Sequence, residues 1–302
     1  MVYASTKTLI VKALIFGVNS QDGYYLKQVC EHNNVEVIGV SRSEGEWIRG
    51  SVADYGFVSQ LIRQLLPEYI FHIAAKSTTR HAAIFENHET ISTGSFNILE
   101  AVKNSSPYSH VFITGSGVQF VNEGRPIRET DPFFASSTYS VSRIQSVYAA
   151  RYYRSLGIKA YVGYLFHHES PLRKPSHLSK LTTNTIKAIL AGNIQKIEIG
   201  NLSVRKEWAF AEDIAKGIFV LVKQGDVYEA CIGTGKAYSI EYWLEACFKY
   251  VGLNWKEFVT EKNDGFIPEY ELLVSDPSTI KSLGWQAETN IDELVKKMMN
   301  IN

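Results

Sequence analysis

The sequence predicts an α/β chain: a doubly wound parallel sheet covered by helices on both faces, followed by a smaller C-terminal domain. Three features predict it. Residues 12–26, KALIFGVNSQDGYYL, read as strand, tight Gly-bounded turn and helix. Across the first half, strands that are apolar throughout alternate with amphipathic helices, as in parallel sheets buried on both sides. The second half loses this alternation. With 302 residues, 45% of them apolar and 21% charged, the chain can bury a large core.

The elements follow in order. The apolar run Ala13-Leu14-Ile15-Phe16 gives a first strand at 14–17, ended by Gly17. Leu26, Val29 and Cys30 recur at helical spacing and give a helix at 23–31. Further strands are expected at 35–40, 69–74, 111–114 and 160–166, with helices between them at 54–66, 91–103 and 138–156. Right-handed crossovers between such strands wind the sheet in both directions, which is the Rossmann type. Beyond it, helices are expected at 181–190, 212–223 and 240–251, with short strands between them. These strands are too few for an independent sheet. Residues 1–166 are therefore expected to form the first domain. Residues 167–302 are expected to form a substrate domain that closes over the carboxyl edge, with segments returning to the first sheet.

The turn Gly17-Val18-Asn19-Ser20-Gln21-Asp22-Gly23 follows the first strand and opens the first helix. Gly17 permits the turn, and Gly23 lets the helix lie close to the strand. Ser20 stands where a middle glycine is usual and can donate a hydrogen bond. A helix N-terminus behind such a turn attracts a pyrophosphate, so a dinucleotide site is expected here. The second strand ends Gly39-Val40-Ser41-Arg42-Ser43, without the acid that holds the ribose hydroxyls of NAD. A guanidinium and two hydroxyls suit a 2′-phosphate, so NADP(H) is the expected cofactor.

Net charge is zero, which gives no field to steer the chain to nucleic acid or to a membrane surface. No apolar run approaches the ~20 residues of a membrane span, and the N-terminus lacks the apolar core of a signal peptide. Cys30, Cys231 and Cys247 are widely spaced in apolar patterns and read as reduced core thiols of a cytoplasmic protein. No spacing suggests a metal site. His167 and His168 are neighbours that point to opposite faces of an extended segment.

Ser116 follows the strand at 111–114. Tyr139 and Arg143 lie at i and i+4 of one helix, about 6 Å apart along its axis. A serine hydroxyl can orient a carbonyl, and a tyrosine can exchange a proton as hydride moves. An adjacent cation lowers the tyrosine pKa and can hold a cofactor ribose. Ser116, Tyr139 and Arg143 are thus the expected catalytic group.

With these residues in place, the chain resembles the extended short-chain dehydrogenase/reductases. Among them it is most similar to the GDP-mannose 4,6-dehydratases, through GVNSQDGYYL, PEYIFHIAAKS, FITGSGVQF, STYSVSR, YLFHHESP, IGNLSVRKEWAFAEDIAKGI and SDPSTIKSLGW. The resemblance implies NADP and a GDP-hexose substrate. By matched position it assigns Gly17, Gln21, Asp22, Gly23 and Arg42 to the cofactor, joined from the same loop and strand end by Asn19, Ser20 and Ser41. Ala74, Ala75 and Ser77 would line the cofactor path. Glu169, Arg173, Asn201 and Lys206 would line the nucleotide-sugar cleft, with His167 where the family has a substrate-contacting Asn. The resemblance also implies a homodimer whose helices at 91–103 and 138–156 pack against their mates. Ala149, Ala150, Tyr152 and Tyr153 carry more small and aromatic side chains than one internal face requires.

The chain departs from this pattern at several positions. The dehydratase base, a carboxylate two residues after the catalytic hydroxyl, is Val118 here. Arg143 replaces the usual lysine, Ser51 an Asp near adenine, and Phe266 an Arg that grips the nucleotide. The stretch from 41 to 54 is short, as in the related GDP-4-keto-6-deoxymannose reductases. The expected activity is hydride transfer at C4 of a GDP-hexose, as a ketone reductase. The alternatives are a 4,6-dehydratase with a relocated base, Glu123 or His167, and a weakly catalytic nucleotide-sugar or NADP binder.

Overall fold

A computed structural model describes residues 10–193, 196–262 and 269–299. The first half runs β1 (Lys12–Phe16), α1 (Gln21–His32), β2 (Glu36–Ser41), β3 (Ile48–Arg49), α2 (Tyr55–Leu65), β4 (Tyr69–His72), α3 (Ile84–Asn87), α4 (Gly94–Ser105), β5 (His110–Ser116), α5 (Thr138–Ser155) and β6 (Lys159–Leu165). The second half continues with β7 (His168–Glu169), α6 (Leu178–Leu190), β8 (Ile197–Ile199), β9 (Arg205–Glu207), β10 (Ala209–Phe210), α7 (Ala211–Lys223), β11 (Glu229–Ile232) and β12 (Ala237–Ser239). It ends with α8 (Ile240–Tyr250), β13 (Val259–Glu261), β14 (Leu272–Leu273), α9 (Ser278–Ser282) and α10 (Ile291–Met299).

Seven parallel strands form the main sheet in the order β11-β6-β5-β4-β1-β2-β3. Phe16 at the end of β1 pairs with Val40 on one side and His72 on the other. The chain winds outward in opposite directions from β1 and β4. Their carboxyl ends therefore flank the crevice where open α/β sheets bind ligands.

The strands bury both faces. Along β1, Leu14 and Phe16 join the core under α2, α4 and α5, while Ala13 and Ile15 join the core under α1 and α7. Each large side chain removed from water contributes about 1.5–3 kcal/mol.

Two differences from the sequence expectation have local causes. The edge strand β3 is two exposed residues long and carries no apolar periodicity. The helix expected from residue 91 is preceded by a π-helical turn, His88–Thr93, so α4 proper starts at Gly94. The Ile91 carbonyl in that wide turn accepts from Ser95 Oγ at 2.7 Å and Ser146 Oγ at 3.1 Å. From the second half, β11 returns to the main sheet and pairs along β6 as a seventh strand. Glu229 at its start is held by Arg151, Arg154 and the Tyr164 hydroxyl, which ties the strand to α5 and β6.

The remaining second-half strands form small two- and three-stranded ladders. Among the described residues no helix is long and apolar enough to cross a membrane. Cys30, Cys231 and Cys247 are buried free thiols, and burial raises the pKa of each.

Candidate active site

The crevice beyond β1 and β4 begins with a turn that admits only backbone. Gly17 adopts φ +96°, and a Cβ there would stand 2.7 Å from the Ala74 nitrogen. A Cβ on Gly23 would collide with the Gly17 carbonyl. Ser20 is the N-cap of α1, its Oγ accepting from the Gly23 N–H at 3.0 Å. Beside this helix end lies a pocket of about 320 Å³ lined by Gly17, Asn19, Ser20, Ser41, Arg42, Ser51, Ala74 and Ala75. Arg42 and Lys76 also meet a third residue there. Glu86 takes Arg42 Nη2 at 3.0 Å on one oxygen and Lys76 Nζ at 3.5 Å on the other. The Arg42 hydrogen bond, with Lys76 adding to it, holds the Glu86 carboxyl below its usual range. All three side chains are at least one-third exposed, and such pairs are worth about 0–1 kcal/mol each.

A second cleft, about 420 Å³, gathers residues from both halves: Ser77, Ser116, Val118, Tyr139, Arg143, His167, Arg173, Glu269 and Tyr270. Ser116 ends β5, where its N–H donates to Gln119 Oε1 at 2.8 Å. Arg143 is 2% exposed. Its Nη1 donates to the Thr114 carbonyl at 2.7 Å, and its Cζ lies 5.0 Å from the Tyr139 ring centroid. Among the described residues no carboxylate pairs with this guanidinium, and its Nε has no hydrogen-bond partner. The backbone-only turn, the capped helix end and this fixed, incompletely satisfied cation together fit a nicotinamide dinucleotide. The cation also acts on His72. Burial first, and then Arg143, push its pKa down to about 4.

The two neighbouring histidines part company. His168 donates from Nδ1 to the Phe166 carbonyl at 2.6 Å and from Nε2 to Asp22 Oδ1 at 2.8 Å. Both partners are acceptors, so the ring is an imidazolium. Burial alone would lower its pKa, but Asp22 outweighs burial and raises it. Burial would raise the Asp22 pKa; the His168 charge and hydrogen bond, with Arg173 and Gln21 adding to them, together outweigh this and hold the carboxyl well below its ordinary range. A second tie runs parallel, from Ser170 Oγ to Gln21 Oε1 at 2.7 Å. The dinucleotide turn is thus joined directly to the start of the second half.

His167 turns the other way, with Nδ1 2.8 Å from the Glu207 carbonyl and Nε2 2.8 Å from Glu169 Oε1. Burial and the Lys206 charge push its pKa down while Glu169 pushes it up. The Nε2 contact requires a proton within it, because Nδ1 already faces an acceptor. Glu169, 1% exposed, also accepts from Arg173 Nε at 3.0 Å and Ser179 Oγ at 2.6 Å.

Residues 14–298 match the family model described as GDP-mannose 4,6 dehydratase. The chain belongs to the GDP-mannose 4,6-dehydratase family. It is 29% identical to GDP-mannose 4,6 dehydratase 2 of Arabidopsis thaliana, over 95% of this chain and 86% of that one. It is 26% identical to GDP-mannose 4,6-dehydratase of Yersinia enterocolitica, over 95% and 92%. In fold it is similar to RMD from Pseudomonas aeruginosa, solved with NADPH, at TM-score 0.84 and 15% identity, covering 96% of this chain and 97% of that one. It is also similar to the UDP-glucose 4-epimerase of Thermus thermophilus, solved with NAD, at TM-score 0.82 and 17% identity, covering 96% and 98%. The fold is therefore that of the extended short-chain dehydrogenase/reductases, and the family is one of nucleotide-sugar enzymes.

Within this dehydratase-family fold the expected site residues divide into three groups. Ser77, Ser116, Tyr139, Arg143, His167, Arg173 and Asp22 meet in one cleft, and Gly17, Asn19, Ser20, Ser41, Arg42, Ala74 and Ala75 in the other pocket. Gln21, Gly23, Glu169, Asn201 and Lys206 are outside both linings. Asn201 Oδ1 accepts from the Ser203 N–H and hydroxyl, closing its own turn. Lys206 Nζ sits 4.8 Å from the Trp208 ring, and burial lowers its pKa to about 8. Neither proposed substitute base is free. Both His167 nitrogens are engaged, and exposed Glu123 pairs with Arg125 at 3.1 Å. Phe266 lies outside the described residues.

Sequence reasoning missed Glu86, Glu269 and Glu207. Glu207 accepts from Ser275, Thr234 and Gly235, knotting β9 to two distant loops. It stands inside the RKEW stretch already matched to the family, which was the available signal.

Proposed function

We propose that the chain is an NADP(H)-dependent ketone reductase acting at C4 of a GDP-linked hexose. One observation carries this reading: the cleft keeps Ser116, Tyr139 and Arg143 but is apolar at Val118, where the family's second proton-transfer group stands. Reduction needs a hydride, an oriented carbonyl and one proton. A nicotinamide held by the glycine turn, Ser41 and Arg42 would supply the hydride. The Ser116 hydroxyl would orient the carbonyl oxygen, and Tyr139 would deliver the proton to it. The Arg143 charge would favour the tyrosinate left behind. Of the carboxylates lining the cleft, Asp22 is bound to His168, and Glu269 accepts from Ser136 and Thr79.

Three buried thiols suit a reducing cytoplasm. The chain also acts, on this reading, as a homodimer through the outer face of α4 and α5.

Glu269 favours a second reading. Burial raises its pKa in the same cleft, the property of a relocated acid–base in a 4,6-dehydratase. The two readings separate in one assay. With NADPH and a GDP-4-keto-6-deoxyhexose, the reductase consumes nicotinamide absorbance, and Tyr139→Phe loses nearly all turnover while cofactor binding survives. With GDP-mannose and NADP, no 4-keto-6-deoxy product forms. Its formation near an ordinary enzymatic rate of roughly 10 per second, and its loss in Glu269→Gln, would establish the dehydratase instead.

A further inference from the structure

At the end of β2 the chain has no acid, yet a carboxylate reaches the same pocket from elsewhere. Glu86, on the single-turn helix α3, lies 44 residues after Arg42 and holds both Arg42 and Lys76. Among the described residues lining that pocket, Glu86 is the sole acid, facing Arg42, Lys76 and Lys174. Behind it the π-helical turn places buried Thr90 in the same lining.

We propose that Glu86 is the specificity-determining residue of this pocket: an internal anion that a 2′-phosphate must displace from Arg42 and Lys76, and that a 2′-hydroxyl leaves in place. The inference rests on the dinucleotide reading above and deepens it. A ribose with a free 2′-hydroxyl is a neutral donor, which an ionised carboxylate accepts without losing its ion pairs. A 2′-phosphate is an anion that needs the same two cations and repels Glu86. The pairs are exposed and single-pronged, so they yield to a phosphate but reduce its advantage. Wild-type chain therefore binds both dinucleotides, with a narrower preference for NADP than Arg42 and Lys76 would give alone.

The test is calorimetric titration of the full chain with NADP⁺ and NAD⁺ at fixed ionic strength. Glu86→Gln is expected to raise the NADP⁺/NAD⁺ affinity ratio about three- to tenfold, roughly the effect of freeing one charge-assisted contact. Glu86→Ala is expected to move it in the same direction. On an Arg42→Ala background the gain should largely vanish, because a main partner is already gone. Thermal melts confirm that each variant is folded. An unchanged ratio in both Glu86 variants, or a shift toward NAD⁺, overturns the proposal while leaving the dinucleotide reading standing. Failure of folded wild-type chain to bind either dinucleotide overturns both.

Discussion

Arg143 illustrates what one residue can do when its charge is buried. Its guanidinium is held by a carbonyl and an aromatic ring, so its field falls on neighbours that a surface arginine would leave alone. His72 is one of them. Replacing Arg143 with Met keeps the stem and removes the charge. The His72 imidazole should then titrate above its wild-type value of about 4 but still below 6.5, because burial persists; NMR of the ring protons measures this. An unmoved titration would show that Arg143 does not reach His72. Tyr139 and Arg143 could be paired from the sequence because helical spacing is local geometry. The Glu86–Arg42 contact could not, since only tertiary folding brings positions 44 apart together. The partners of His167 were hidden for the same reason: it lines the cleft, while a carbonyl on β9 faces Nδ1 and a buried glutamate faces Nε2.

Among the elements, the decisive joint is between α1 and the His168–Ser170 segment. The Asp22–His168 pair gives that joint a pH dependence whose sign can be worked out. The Asp22 pKa is depressed in the folded chain, so its contribution is present above about pH 4 and is lost as pH falls through the native value. The His168 pKa is raised, so its contribution is complete below about pH 6.5 and is lost as pH rises through the native value. Asp22→Asn should therefore cost about 3 kcal/mol near pH 6 and clearly less near pH 9, measured by urea unfolding. An equal cost at both pH values would mean that the pair is not an ion pair. At this scale the sequence was most informative. The expected main-sheet strands and helices formed, with ends shifted by a few residues, because apolar periodicity reports burial directly. What escaped it was brief or irregular: the two-residue β3 and the π-helical turn. In both, hydrogen bonds to neighbouring elements fix the backbone more than any pattern within the segment.

For the molecule as a whole, the helix α5 presents two apolar faces. Three of the four residues singled out there, Ala149, Ala150 and Tyr153, are buried against the chain's own core. Tyr152 is instead exposed, in line with Val141 and Tyr148 along one outer stripe, and α4 adds exposed Phe96. A stripe of this kind suits a symmetric contact between two copies. Light scattering should give a dimer, and Tyr148→Glu with Tyr152→Glu should give a folded monomer; a wild-type monomer would refute the assembly. The return of β11 to the sheet has a consequence of another kind. During synthesis, β6 is complete roughly sixty residues before the strand that covers its edge has been made. At the usual ~5–20 residues per second, that buried, tyrosine-rich edge waits several seconds on the ribosome without its partner. A nascent chain stalled in that interval carries an open strand edge ready to pair with another chain.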